Sequence, residues 1–240
     1  MAYSKLSIVI PVYNELMTIR EILDKVSSVD VGLEKEIILI DDCSTDGTRD
    51  ILKDISDRGS DNIKVVFHEM NGGKGTALRT GFKYVTGDIT IIQDADLEYD
   101  PADYPNLIKP IIQDKSDVVY GSRFLGNRRP DGMAFSNLMA NRFLTSLSNI
   151  LTGFKITDME TCYKVIRTSI LKDIELKSER FGIEPEITAK LARKKVRLVE
   201  IPISYYGREQ SEGKKINWKD GFSAIYHIFK YRFERGQKSF

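Results

Sequence analysis

Five short apolar runs, at residues 6–10, 36–40, 63–67, 89–92 and 118–120, recur through the first half of this chain. They are rich in Ile and Val, and they are apolar at consecutive rather than alternate positions, as in strands buried on both faces. The intervals between them carry helical patterns. Leu16, Ile19, Ile22, Leu23 and Val26 form a stripe that predicts a first helix beginning at Asn14. A second follows Asp46 with Ile51, Leu52 and Ile55, and a third follows Gly72-Gly73. A fourth opens at Asp100-Pro101, where proline suits the first helical turn. Strand–helix alternation of this kind folds as a mostly parallel sheet covered by helices, an α/β architecture.

The remainder is less regular. An apolar helix is expected at 135–151, another at 184–194, an extended stretch at 196–205 and a last helix at 218–235. No internal repeat or linker interrupts the 240 residues, so a single domain is expected. The net charge of +1 gives no general pull toward nucleic acid, and any basic site must be local. Cys43 and Cys162 match neither a disulfide framework nor a metal-ligand spacing, so reduced thiols are expected. The chain enters a strand almost at once and has no run of 18 apolar residues. Neither a secretory leader nor a membrane span is expected, which favours a cytoplasmic protein.

In parallel sheets, ligands bind beyond the carboxyl ends of the strands. Three polar groups fall there: Pro11-Val12-Tyr13-Asn14-Glu15, Asp41-Asp42 and Asp94-Ala95-Asp96. Asp94 and Asp96 lie one residue apart at a strand end, where both cannot be buried unpaired; their repulsion and desolvation call for a cation. A hard divalent ion, Mg²⁺ or Mn²⁺, held by one or two carboxylates and completed by substrate phosphate, suits such a pair. The loop at 71–75 could offer backbone N–H groups to a phosphate, although Gly-Gly is also ordinary turn chemistry. Ser44, Thr45 and Asp46 read as a helix-capping cluster, and Asp41 as a turn-holding residue.

Further motifs follow in order: Ile40 to Thr48, Asn71-Gly72-Gly73-Lys74-Gly75, Gly121-Ser122-Arg123, and late in the chain Arg208 with Lys214. Together with the three strand-end groups, the set resembles the inverting family-2 glycosyltransferases of GT-A fold. In particular it resembles the polyprenyl- and dolichol-phosphate sugar transferases, the dolichol-phosphate mannosyltransferases among them. The resemblance spans about residues 5–220. It implies a nucleotide-diphosphate sugar donor, a divalent metal and transfer with inversion to a polyprenyl or dolichyl phosphate. It also implies a nucleotide-sugar-binding half over about 1–121 and an acceptor-side half over about 122–217, ahead of the amphipathic helix at 218–235.

Carried over residue by residue, the resemblance places Pro11, Tyr13, Glu15, Ile40 and Asp42 at the donor nucleotide. Asp94, Ala95 and Asp96 would lie at the diphosphate, and Asp94, Asp96 and Glu98 at the metal. Glu98 stands where relatives often have glutamine. Arg123, Arg208 and Lys214 would bring positive charge to the phosphates, the last two from a loop that closes over the donor. Arg128 and Arg129 are weaker candidates for the acceptor phosphate. Asp158 and Glu160 fall in an acidic segment, where they would act as base for a hydroxyl acceptor or orient donor or acceptor. Glu184 and Glu186 read as ordinary first-turn helix acids.

Two helices raise the question of membrane contact. On the helix at 135–151, Phe135, Leu138, Met139, Phe143, Leu147, Ile150 and Leu151 form an apolar band opposite Asn137, Asn141, Thr145, Ser148 and Asn149. This reads equally as a core helix and as the border of a lipid groove. The last helix places Phe222, Ile225, Tyr226, Phe229 and Phe233 on one face beside Lys219, Lys230, Arg232 and Arg235. That combination suits peripheral contact with the cytoplasmic face of a membrane, a membrane-bound protein partner, or packing on the domain itself. Transfer to a glycan hydroxyl, and a nucleotide-sugar-binding subunit without turnover, are the alternative functions.

Overall fold

The computed structural model describes residues 3–126, 132–180, 182–208 and 218–234. Seven strands form one sheet: β1 (Lys5–Val12), β2 (Glu34–Asp41), β3 (Ile63–Phe67), β4 (Ile89–Ile92), β5 (Val118–Ser122), β6 (Lys164–Arg167) and β7 (Leu198–Pro202). Their order is β3-β2-β1-β4-β6-β5-β7. All pairings are parallel except those of β6, which runs antiparallel between β4 and β5. The expected mostly parallel α/β sheet is therefore present. Strand β6 and the short helix that follows it were not foreseen; four residues, Lys-Val-Ile-Arg, show too little pattern to announce a strand.

Helices α1 (Ile19–Ser28), α2 (Thr48–Arg58), α3 (Lys74–Gly81) and α4 (Tyr104–Ile112) connect the first five strands. Then come α5 (Phe135–Thr152), α6 (Thr168–Lys172), α7 (Ile183–Arg193) and α8 (Trp218–Phe233). The sheet's centre is dry: Ile8, Val9, Ile10, Ile37, Leu39, Ile40, Ile89 and Ile91 are wholly buried, as apolar strands between helical layers should be. Gly81 lets α3 lie directly on β1 and β2, since a Cβ there would collide with Val9 Cγ1.

Helix α1 starts at Ile19, not at Asn14. Asn14 has φ 52°, and Thr18 N and Ile19 N donate to Glu15 O, so residues 14–18 form a turn at the end of β1 instead of a helical first turn.

The two outer helices also differ from the sequence pattern. Helix α5 buries Leu138, Leu144, Thr145 and Ser148, while Phe135, Met139, Phe143 and Ile150 are exposed. Part of the polar face therefore turns inward. Thr145 Oγ1 accepts from Met159 N at 3.1 Å, and Asn149 exchanges two hydrogen bonds with the backbone of Ile156. The loop beneath needs these partners for its buried backbone groups. Helix α8 docks on α7 and α5 through Ala224, Ile228 and Tyr231, with Ser178 Oγ donating to Tyr231 Oη at 2.7 Å. Tyr226, Phe229 and Phe233 of the expected aromatic face point to solvent. Among the described residues, no helix is long and apolar enough to cross a membrane.

Candidate active site

The carboxyl ends of β1, β2 and β4 meet along one edge of the sheet, where Val12 pairs with Asp41 and Val9 with Ile92. Each strand is followed by a non-glycine residue in the left-handed region: Asn14 (φ 52°), Cys43 (φ 65°) and Leu97 (φ 63°). Asparagine tolerates this conformation; a cysteine or leucine does so at a cost of about 1–3 kcal/mol that the surroundings must offset. Strained residues concentrated at one end of a sheet point to a binding edge.

A cleft of about 590 Å³ opens there, lined by Asn14, Glu15, Asp96, Leu97, Tyr206 and Arg208 among others. Arg208 is its central cation. Its Nη1 donates to Glu15 Oε2 at 3.1 Å and its Nη2 to Asp96 Oδ2 at 3.1 Å. Its backbone N donates to Glu98 Oε1 at 3.0 Å, and Tyr205 Oη donates to Glu98 Oε2 at 2.9 Å. Burial, then the neighbouring Asp94 and Glu98, push the Asp96 carboxyl up to about 7 despite Arg208. Asp94 meets a different cation, Lys74, whose Nζ lies 2.9 Å from Asp94 Oδ1 and 3.0 Å from Glu184 Oε1.

Among the described residues, no three Asp, Glu, His or Cys side chains converge in a metal-binding geometry. The donor set nevertheless suits a hard divalent ion. Asp94 and Asp96 supply carboxylate oxygens, and the raised value of Asp96 marks negative charge that Arg208 does not cancel.

A match to glycosyl transferase family 2 covers residues 7–175. The chain belongs to this family. Over 211 residues it is 31% identical to an undecaprenyl-phosphate 4-deoxy-4-formamido-L-arabinose transferase of Edwardsiella ictaluri, covering 87% of this chain and 62% of that protein. Over 229 residues it is 29% identical to the dolichol-phosphate mannosyltransferase of Pyrococcus furiosus, covering 94% and 63%. It thus spans under two thirds of the length of either relative. A UDP-N-acetylglucosamine–dolichyl-phosphate N-acetylglucosaminyltransferase of Methanococcus voltae is 28% identical, with 95% and 96% covered. The glucosyl-3-phosphoglycerate synthase of Mycobacterium tuberculosis, in a structure with Mn²⁺, UDP and phosphoglyceric acid, superposes with a TM-score of 0.72 at 17% identity, covering 98% of this chain and 80% of that one. The fold of this family-2 domain is accordingly GT-A.

The structure distributes the sequence candidates unevenly within the family-2 domain. Glu15, Asp96, Glu98 and Arg208 form one cluster, with Asp94 beside it. Tyr13 lies partly exposed, one residue before the cleft-lining Asn14. Pro11 and Ile40 pair across β1 and β2, and the Ile40 side chain is wholly buried toward Gly81, within the core. Ala95 is buried beside the aspartates. Asp42 is also buried, and its carboxylate accepts from Gly72 N at 2.9 Å and Gly73 N at 2.6 Å and bonds His68 Nδ1 at 2.8 Å. Those contacts engage both Asp42 oxygens inside the protein. They also occupy two N–H groups of the glycine loop, and Thr76 N donates to Glu179 O, so these three donors are already committed to protein acceptors.

Arg123 and Asp158 pair with each other. Arg123 N, Nε and Nη2 all donate to the Asp158 carboxylate, at 3.0, 2.7 and 2.8 Å. In this structure both charges are thereby committed to holding the end of β5 to the 157–160 segment. Glu160 is pushed up to about 8, first by burial and then by Glu184, with Lys164 and Arg123 opposing. It therefore holds its proton at neutral pH. Arg128, Arg129 and Lys214 lie outside the described residues.

Sequence reading passed over Glu184 and Glu186. Glu186 is wholly buried and accepts from Lys177 N, Ser178 N and Lys190 Nζ, which makes it a structural anchor. Glu184 instead reaches the site through Lys74. The available signal was Pro185 between two acids, which is also how an ordinary helix begins.

Proposed function

We propose that this protein is a metal-dependent inverting glycosyltransferase that moves a sugar from a nucleotide-diphosphate sugar to a polyprenyl or dolichyl phosphate at the cytoplasmic face of a membrane. The observation that carries the reading is the Asp94/Asp96 pair beyond the carboxyl end of β4, with Asp96 lining a cleft beside Arg208. Asp94 and Asp96 would hold Mg²⁺ or Mn²⁺, with Glu98 nearby, and the ion would neutralise the departing diphosphate. Tyr13 and Glu15 would contact the nucleotide. Arg208, with Lys214, would bring positive charge to the phosphates as the bond to the anomeric carbon breaks.

The state of Asp158 supports a phosphate acceptor. Attack by a sugar hydroxyl requires a base, whereas a phosphate is already ionised near neutral pH. Asp158 is engaged by three Arg123 donors, so its carboxylate is held by the protein and is not placed to serve a sugar hydroxyl. The relatives named for undecaprenyl- and dolichyl-phosphate transfer support the same acceptor class.

Membrane contact is supported by the two packed helices α5 and α8, which expose Phe135, Met139 and Phe143 on one and Tyr226, Phe229 and Phe233 on the other. Lys230 and Arg232 flank the second group, an arrangement suited to a headgroup boundary or to a membrane-protein partner.

The deciding experiment incubates the protein with a panel of nucleotide sugars, Mn²⁺ and, in parallel, a short polyprenyl phosphate or a glycan acceptor, and reads the anomeric configuration of any lipid-linked sugar. An inverted polyprenyl-phosphate sugar is expected. Transfer only to a glycan hydroxyl, or donor binding without transfer or hydrolysis, would replace the proposal with one of its alternatives.

A further inference from the structure

Lys74 is fixed at the start of α3 by close packing that leaves it little choice of position. A Cβ on Gly73 or Gly75 would collide with the backbone at Ser178 and Glu179, and Thr76 N donates to Glu179 O at 3.0 Å. The beginning of α3 is thereby fastened to the segment leading into α7. From there the Lys74 ammonium reaches Asp94 at the end of β4 and Glu184 in the first turn of α7, at 2.9 and 3.0 Å. The two contacts are nearly equal in length, so the ammonium is shared.

Glu184 has a further property. It is 5% exposed, and its Oε2 is shielded from solvent without a hydrogen-bond partner among the described residues. A buried carboxylate oxygen without a donor is costly, and the usual expectation is that something fills it. An ammonium has three N–H groups, and that of Lys74 already lies 3.0 Å from the other oxygen of this carboxylate. Lys74 can therefore leave Asp94 and remain bound, with the open Glu184 oxygen receiving the N–H that Asp94 releases.

We propose that Glu184 is a positioning residue for the divalent cation, acting through Lys74: it holds the ammonium away from Asp94 when a metal takes that carboxylate. The inference rests on the reading that Asp94 and Asp96 hold the metal. A metal ion and an ammonium on one carboxylate repel each other, so metal affinity depends on where the ammonium can go. Without Glu184, Asp94 is the remaining ion-pair partner of Lys74 among the described residues, and the ammonium competes with the metal there at full strength.

The test is Mn²⁺ titration of the full chain, followed by the electron paramagnetic resonance signal of the free ion, with no donor or acceptor present. Glu184→Gln should weaken Mn²⁺ binding roughly tenfold, the scale of a partly screened charge competition at close range. Lys74→Met should tighten it, and Lys74→Met with Glu184→Gln should match Lys74→Met alone. Glu184→Asp, which keeps the charge but shortens the reach, should bind as weakly as Glu184→Gln and serves if that variant folds poorly. If Glu184→Gln weakens binding equally with and without Lys74, or Glu184→Asp binds like wild type, Glu184 acts only as a distant charge and the proposal is overturned. Asp94→Asn separates the two levels. Mn²⁺ binding unchanged by Asp94→Asn would overturn the metal reading itself, whereas its loss together with an additive cycle would overturn only the role of Glu184.

Discussion

Arg123 and Asp158 are bound to each other through three hydrogen bonds of 2.7–3.0 Å, with side chains 8% and 0% exposed. The rings of Phe124 and Tyr205 lie 5.4 and 5.2 Å from the guanidinium, so the pair sits in an aromatic box. Removing one charge from such a pair strands the other. Asp158→Asn should therefore lower unfolding stability by about 3 kcal/mol, measured by urea denaturation. A variant that keeps its stability yet loses turnover would instead return Asp158 to a direct chemical role.

Asp94→Asn and Asp96→Asn should each reduce transfer by orders of magnitude, and excess chelator should do the same to the wild type. Full activity in chelator would remove the metal from the proposal. Burial, with repulsion from Asp94 and Glu98 added, raises Asp96 to about 7, so Asp96→Asn removes a charge that the fold disfavours. Asp96→Asn should melt at or above the wild-type temperature, which separates lost chemistry from lost folding, whereas Asp94→Asn also gives up the Lys74 ion pair and should melt somewhat lower.

Arg208→Ala should cost about 3 kcal/mol of activation free energy, roughly a hundredfold in kcat, as expected for removing one donor from a developing charge. The guanidinium bridges Glu15 and Asp96 at 3.1 Å each, so these carboxylates also lose their shared counter-charge. Lys214→Ala should give a kinetic loss of the same kind. Normal turnover by both variants would sink the assignment of these cations to the diphosphate.

Glu160 makes a prediction about pH. Its carboxyl is raised from an ordinary 4.5 to about 8 in the folded protein. Below about 4.5 both states hold the proton. Between the two values the unfolded chain loses it while the folded chain keeps it, so stability falls as pH rises, and the fall ends near 8. Asp96 adds a fall of the same sign up to about 7. Glu160→Gln mimics the protonated form and should roughly halve the slope of stability against pH between about 4.5 and 7, where Asp96 contributes equally, and remove the Glu160 part of the fall between about 7 and 8. An unchanged profile would mean that Glu160 is ionised in the native state.

The parallel sheet was legible because consecutive Ile and Val residues leave few other places for those runs, and the strand-end carboxylates stood out for the same reason. Partnership was not legible. Asp42, Arg123 and Asp158 have the chemistry of ligand-binding residues, yet their donors and acceptors lie 26 to 35 positions away in sequence, at His68, Gly72, Gly73 and across the Arg123–Asp158 pair itself. Glu184 was missed for the converse reason: its partner Lys74 is 110 positions away (184 − 74), and a first-turn glutamate is unremarkable without it. The inward polar face of α5 was hidden too, because backbone groups of the 156–159 loop, which leave no mark in an apolar pattern, set its orientation.

The aromatic faces of α5 and α8 carry the last prediction. Helix α8 is already anchored to the domain through Ala224, Ile228 and Tyr231, so Phe229 and Phe233 are not needed for that contact and remain 42% and 70% exposed. On α5, which packs against α8, Phe135, Met139 and Phe143 are likewise 64%, 49% and 59% exposed. Apolar groups of this size can enter the headgroup boundary, while each basic residue near an anionic surface contributes about 1 kcal/mol. The expected behaviour is reversible sedimentation with anionic vesicles, weakened by salt because the basic part is screened. Phe229→Asp and Phe143→Asp should each reduce it without changing the melting temperature, since neither side chain is part of the packed face. Ala224→Asp should instead destabilise the fold. Sedimentation unaffected by the two exposed substitutions would assign membrane contact to another surface, and none by the wild type would leave these aromatics to a protein partner.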